Sequence, residues 1–242
     1  MLKSKNLFAL IALGTASSLF AAPALAQAQP TTPPKETPKE TPKKDETKKD
    51  VKKDEKKDAK KVAAATVGSV APTFVLNDTD GKEHKLADLT KDGKIVVLFW
   101  FNSECPYVVK HFNESKTFND LAAKYKDKKV VVMAVNSNAA DSQGSGLETN
   151  KKVKKDWSMD YPILLDATGA TGKAYGAKNT PATYVIAADG TLAYAGAIDD
   201  DSGDQKPGKT NYAAKAVDEL LAGKKVTTST TKPYGCGVKY SK

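Results

Sequence analysis

From about Val67 onward, short uninterrupted apolar runs alternate with longer stretches whose apolar positions recur at helical spacing. "KIVVLFWF" (94–101) is a continuous apolar run of strand length, which predicts a central strand buried on both faces. "PYVVKHFNESKTFNDLAAKYKDKK" (106–129) follows it. Val108, Phe112, Phe118, Leu121, Ala122 and Tyr125 share one broad face there, predicting a helix of about twenty residues. "VVVMAVNSN" (130–138) predicts a second buried strand, 146–157 a helix ending near Trp157, and "YPILLD" (161–166) a third strand. "GATGKAYG" (169–176) reads as a short helix stopped by Gly176. "ATYVIAADGTLAYAGAI" (182–198) reads as a hairpin around Asp189–Gly190, and "NYAAKAVDELLAG" (211–223) as a last amphipathic helix closed by Gly223. Ahead of the central strand, "APTFVLNDTDGKEHKLADL" (71–89) predicts a short strand, a turn at Asp78–Gly81 and a second extended piece. Strands alternating with helices and ending in a hairpin imply an α/β fold, a mixed sheet flanked by helices with an N-terminal β extension. The tail, 224–242, is polar and turn-rich.

The first 66 residues follow a different logic. Lys3 and Lys5 precede the apolar run "LFALIALGTASSLF" and the small residues "APALA", the pattern of a signal peptide (1–26) cleaved near Ala26. That run is too short and too rich in small residues for a good transmembrane anchor. The expected mature protein is therefore soluble and secreted or periplasmic. Residues 27–66 form a Lys/Glu/Pro-rich linker with too little apolar surface to offset chain entropy, and are expected to be disordered. The linker reads as a solvated spacer, or as a polycationic arm for an anionic surface. One domain, 67–224, and a tail, 225–242, complete the division.

Net charge changes this picture little. The chain carries +9, but residues 35–61 hold 12 Lys against 8 Asp or Glu, and residues 62–242 carry only 24 − 21 = +3. All 38 basic residues are lysine. Without arginine the chain lacks the bidentate fork favoured for guanine and phosphate, so nucleic-acid binding is not expected. Two cysteines, Cys105 and Cys236, and two histidines, His84 and His111, do not make a zinc site; no metal or cofactor is expected. In an exported protein two cysteines fit one disulfide, static or cycling. Asp199, Asp200, Asp201 and Asp204 form an acidic loop, read as a solvated turn in preference to a calcium site.

Cys105 stands where the central strand gives way to a helix. Pro106 suits the first helical position, so the sulfur is expected at a helix N-terminus, where unpaired N–H groups and the helix dipole favour a thiolate. The adjacent Glu104 opposes that effect. A buried, inert cysteine is the plain alternative. His111 lies a turn and a half along the same helix and is read as too distant to act as its base.

At this point the sequence resembles a family. "FWFNSECPYV" before a helix is similar to the active-site segment of the thioredoxin superfamily, and "CPYV" to the Cys-Pro-Tyr-Cys of glutaredoxins with Val108 in place of the second cysteine. "NSEC" resembles the Thr-x-x-Cys of peroxiredoxins with Asn102 in the threonine place. "KAYGAKNTPATYVIAADGTLAYAGAIDD" (173–200) resembles the Thr-Pro-plus-hairpin segment of thioredoxin-like proteins. "KPYGCGVKY" resembles the C-terminal end of a redoxin subgroup related to alkyl hydroperoxide reductase and thiol-specific antioxidant proteins. The resemblance implies a thioredoxin-like fold, a cis Thr180-Pro181 bond facing the cysteine, and a Thr180 backbone able to pair with an extended substrate chain. It implies Cys105 as nucleophile, with Asn102, Pro106, Thr180 and Pro181 around the substrate. Its partners would be a peroxide or protein disulfide and an external thiol reductant, thioredoxin-like or small. Cys236, between two glycines, is the candidate resolving cysteine in a tail expected to be flexible. The departures are Val108, Asn102 and the absent arginine with which peroxiredoxins hold peroxide. The competing reading is a non-catalytic binding module stapled by a Cys105–Cys236 disulfide, which closing a loop of about 130 residues would stabilise by roughly 5 kcal/mol.

Overall fold

The computed structural model describes residues 65–242; the expected signal peptide and nearly all of the linker lie outside the described residues. Five strands form the central sheet: β3 (Ile95–Trp100), β4 (Val130–Asn136), β5 (Ile163–Leu165), β7 (Thr183–Ile186) and β8 (Leu192–Gly196), in the order β5-β4-β3-β7-β8. β3 pairs parallel with β4 and antiparallel with β7, so the sheet is mixed as expected. Every residue of β3 is buried, because both faces are covered. Val97 and Phe99 pack with Phe118, Leu121 and Tyr125 on one side, while Val96, Leu98 and Trp100 pack with Phe74, Leu86 and Tyr175 on the other. This two-sided burial is what an unalternating apolar run encodes.

Two small sheets sit beside the main one. β1 (Val75–Asn77) and β2 (Glu83–Lys85) form the N-terminal hairpin. β6 (Asn179–Thr180) pairs antiparallel with β9 (Cys236–Gly237), bringing the C-terminal tail back to the centre of the molecule. The helices are α1 (Leu86–Lys91), α2 (Pro106–Asn113), α3 (Thr117–Tyr125), α4 (Leu147–Asp156), α5 (Ala170–Tyr175) and α6 (Tyr212–Leu221).

Three expectations are corrected. The long helix after Cys105 is two helices, α2 and α3, interrupted at 114–116. There Ser115 Oγ meets Thr117 Oγ1 at 2.7 Å and accepts from the Thr117 amide at 3.3 Å, a local side-chain bond that competes with the helical ladder. Both halves keep their apolar face against the sheet, so the periodicity survives the break. The second extended piece is β2, but it ends at Lys85, where the chain enters α1 and buries Leu86. The tail is not merely polar and turn-rich: Thr230 bridges to Ala195, Cys236 and Gly237 pair with β6, and Tyr240 donates to the Ala177 carbonyl at 2.7 Å.

Candidate functional site around Cys105

β3 and the loop that follows deliver Cys105 to the start of α2. Asn102 shapes the loop: its Oδ1 accepts from the Glu104 amide at 2.9 Å, its Nδ2 donates to the Gln143 carbonyl at 3.2 Å, and its carbonyl accepts from the Cys105 amide at 3.1 Å. Both ends of the Asn102 side chain are thus engaged in building the turn. Cys105 is the N-cap of α2 with extended backbone (φ −88°, ψ 117°), and Pro106 holds the first helical position. The amides of Val108 and Val109 donate to the Cys105 carbonyl. The sulfur is buried, yet Glu104 and Pro106 on either side of it are exposed, so it lies one residue beneath the surface.

The Thr180-Pro181 peptide is cis, as the resemblance implied. The Cys105 thiol donates to the Thr180 carbonyl oxygen at 3.1 Å. Thr180 is also the register partner of Cys236 in the β6–β9 pair. Cys105, Thr180, Pro181 and Cys236, far apart in the chain, therefore converge. Both cysteines are free thiols. Burial pushes the Cys236 thiol up to about 12, hydrogen bonding to the Cys105 sulfur and charge repulsion from it act in the same direction, and Lys239 opposes them. Cys236 thus stays protonated through neutral pH. Ser103 Oγ and Thr180 Oγ1, both buried, have no hydrogen-bond partner among the described residues.

A buried polar network behind Cys105 escaped the sequence reading. Tyr234 donates its hydroxyl to Asp199 Oδ1 at 2.6 Å and lies 3.1 Å from His111 Nε2. His111 Nδ1 contacts Thr117 Oγ1 at 3.0 Å and stands 4.0 Å from Asp199 Oδ2. Lys110 is almost wholly buried; its ammonium donates to the carbonyls of Asp201 and Gly203, both at 2.7 Å, and sits 4.6 Å above the Tyr234 ring. Burial lowers the Lys110 pKa, with Asp199, Asp201 and Asp204 pulling it back up. Burial likewise lowers His111 to about 4, against the opposing pull of Asp199 and with the help of Lys110's charge. His111 is consequently neutral and committed to the network. Asp199 is buried here and accepts from Tyr234 and from the Gly208 amide, so the first acid of the loop is not a solvated turn residue. No group of three or more metal-ligating side chains occurs among the described residues. The one signal in the sequence was the spacing of Lys110 and His111 next to each other on a helix with an apolar face, where two charged-type residues demand partners.

Trp100 is wholly buried, packs against Tyr175 and Tyr184, and donates to Ser137 Oγ at 3.0 Å; its role is core packing. Tyr107 lies nearer the site, its ring 6.1 Å from that of Tyr234. A surface depression of about 530 Å³ lined by Lys151, Lys154 and Met159 shares no residue with the sulfur site. No helix among the described residues is long and apolar enough to cross a membrane.

Comparison with known proteins agrees with this arrangement. A thiol-disulfide oxidoreductase ResA from Bacillus thuringiensis subsp. konkukian is 31% identical over 126 residues, which cover 52% of this chain and 66% of that protein. Its namesake from Geobacillus thermodenitrificans is 32% identical over 129 residues, covering 53% of this chain and 68% of that protein. Among solved structures, an uncharacterized conserved protein from Geobacillus kaustophilus superposes with a TM-score of 0.66 at 32% identity, covering 73% of this chain and 93% of the other. A hypothetical protein from Sinorhizobium meliloti gives a TM-score of 0.65 at 30% identity, covering 74% and 97%. With a mixed sheet of thioredoxin type, a cysteine capping the helix after its central strand, and residues 67–195 matching the AhpC/TSA family, the chain belongs to that family within the thioredoxin superfamily.

Proposed function

We propose that this chain is an exported thiol-dependent oxidoreductase in which Cys105 attacks and Cys236 resolves. The observation that carries the reading is the convergence of both cysteines on Thr180: one thiol bonds to its carbonyl and the other is its strand partner. With a disulfide substrate, the Cys105 thiolate attacks one sulfur, the substrate S–S bond breaks, and the first thiolate leaves. Cys236, giving up its proton, then attacks the Cys105 sulfur, expels the second substrate thiol, and leaves a Cys105–Cys236 disulfide. With a hydroperoxide, Cys105 takes the distal oxygen as the O–O bond breaks and the alcohol or water departs; the sulfenic acid then condenses with Cys236, releasing water. In both routes an external dithiol supplies two electrons to restore the thiols. Buried hydroxyls of Ser103 and Thr180 are available to a polar ligand, whereas Lys110 is already committed to two carbonyls and does not replace the missing arginine.

The test is turnover by the mature protein, from Gln27 onward, of hydrogen peroxide and of a reducible protein disulfide, with a dithiol as electron source. Catalytic turnover abolished by Cys105→Ser supports the reading. A Cys105–Cys236 bond that resists mild dithiol until the protein unfolds, with no turnover, would favour the stapled binding module instead.

A further inference from the structure

β6 is the strand beside Cys105, and its strand neighbour among the described residues is β9. Asn179 faces Gly237 and Thr180 faces Cys236, with the Val238 amide donating to the Lys178 carbonyl at 3.0 Å beyond them. The Asn179 side chain adds a bond to the Gly235 carbonyl at 3.0 Å. The backbone edge that an extended polypeptide needs in order to lie beside Cys105 is therefore already filled by the chain's own tail.

The tail is fastened on both sides of that pairing. Tyr234 enters the buried network through Asp199, and Val238 packs on the apolar cluster around Trp100. The Lys239 amide donates to Asn138 Oδ1 at 3.1 Å, and the Lys239 carbonyl accepts from the Ala139 amide at 2.6 Å. Gly235 makes the close approach possible. It adopts φ +107°, and a Cβ there would overlap the Thr180 carbonyl. The sulfur beneath is flanked by exposed Glu104 and Pro106. A small oxidant needs a shallow local opening to reach it; a polypeptide needs the strand edge itself.

We propose that β9 acts as a tethered pseudo-substrate strand that selects by size: the closed protein reacts with small disulfides and hydroperoxides, and polypeptide disulfides react with Cys105 only when residues 235–239 lift from β6. This inference rests on the reading of Cys105 as nucleophile.

The experiment compares two thionitrobenzoate disulfides, one capped with a methylthio group and one with the cysteine of an unstructured peptide. In each, the Cys105 thiolate attacks the sulfur of the methylthio group or peptide cysteine, the S–S bond to thionitrobenzoate breaks, Cys105 keeps the methylthio or peptide group as a mixed disulfide, and coloured thionitrobenzoate leaves. All proteins carry Cys236→Ser, so that the mixed disulfide persists. Against this background Gly235→Ala and, separately, Val238→Asp are introduced to lift the tail, with amide exchange at residue 238 reporting release. The peptide rate, relative to the methylthio rate, is expected to rise at least about tenfold in both, because in the closed protein the peptide rate is the intrinsic rate multiplied by the small open fraction. An unchanged ratio overturns the proposal. So does retained protection of the residue 238 amide in both variants, since the tail would then not depend on these contacts. If neither probe labels Cys105 in any protein, the redox reading fails first and carries this one with it.

Discussion

Removing Cys105 should make Cys236 more reactive. Burial raises the Cys236 thiol to about 12, and the Cys105 sulfur contributes through a hydrogen bond and through charge. A thiol at that value is ionised to roughly one part in ten thousand near about pH 8, each unit being a factor of ten. Cys105→Ala leaves the burial in place and deletes both contributions of the neighbouring sulfur. Both contributions raise the Cys236 pKa, so deleting them is expected to increase its thiolate fraction, about tenfold for each unit by which the midpoint falls. The assay is alkylation by iodoacetamide, followed by mass spectrometry of the tail peptide from about pH 7 to about pH 12. The expected result is a profile of the same shape displaced to lower pH. An equal or slower rate refutes the reasoning. A faster rate with an unmoved midpoint refutes it too, because that would report easier access and not easier ionisation. In the proposed cycle a mixed disulfide or sulfenic acid at Cys105 removes the neighbouring thiol's contribution to the Cys236 shift at the step where Cys236 gives up its proton.

Cys236→Ser should stop turnover after one event and leave the substrate attached to Cys105, seen as a single mass adduct; continued turnover would rule out Cys236 as resolver. Tyr234→Phe removes the hydroxyl that bonds Asp199 and faces His111, and should cost about 2 kcal/mol in urea unfolding, the range for a hydrogen bond to a charged group; a loss below about 0.5 kcal/mol would show that Asp199 is satisfied by the Gly208 and Asp201 amides alone. His111 is lowered to about 4 by burial, so the unfolded chain takes a proton that the folded chain refuses between about pH 6.5 and about pH 4. Its contribution is present above that window and is lost as pH falls through it, by up to about 3 kcal/mol, and His111→Asn should flatten the acid limb measured by urea unfolding. Phe99→Ala, which removes the ring stacked 3.8 Å from Phe118, should cost about 3 to 5 kcal/mol by the same measurement.

Much of the scaffold was legible in the chain because its signals are local. An unbroken apolar run means a strand covered on both faces, and β3 is one. Gly176 stops α5 in the left-handed conformation, as a glycine after a helical pattern predicts. Pro106 after Cys105 marks the first turn of α2, so the placement of that sulfur at a strand–helix junction followed from four or so consecutive residues. The break between α2 and α3 was not legible, because Ser115 and Thr117 sit within an otherwise continuous apolar period and the bond between them depends on rotamers.

The tail divides what the chain states from what only folding decides. Its glycines and its cysteine were visible, and they suggested freedom of movement. In the folded protein the same glycines permit a close approach: Gly235 lets the backbone meet the Thr180 carbonyl, and Cys236 takes its place opposite Thr180. Hydrophobic periodicity records which face of an element is buried. It carries no record of which distant edge a two-residue strand will choose, since that depends on unpaired backbone groups left over by the rest of the sheet. The same holds for Tyr234, Asp199 and His111, three polar residues from separate segments whose shared burial exists only once the sheet and helices have closed around them. The placement of Cys105 at a strand–helix junction was thus written in sequence, while the strand that covers it and the raised pKa of Cys236 were set by tertiary packing.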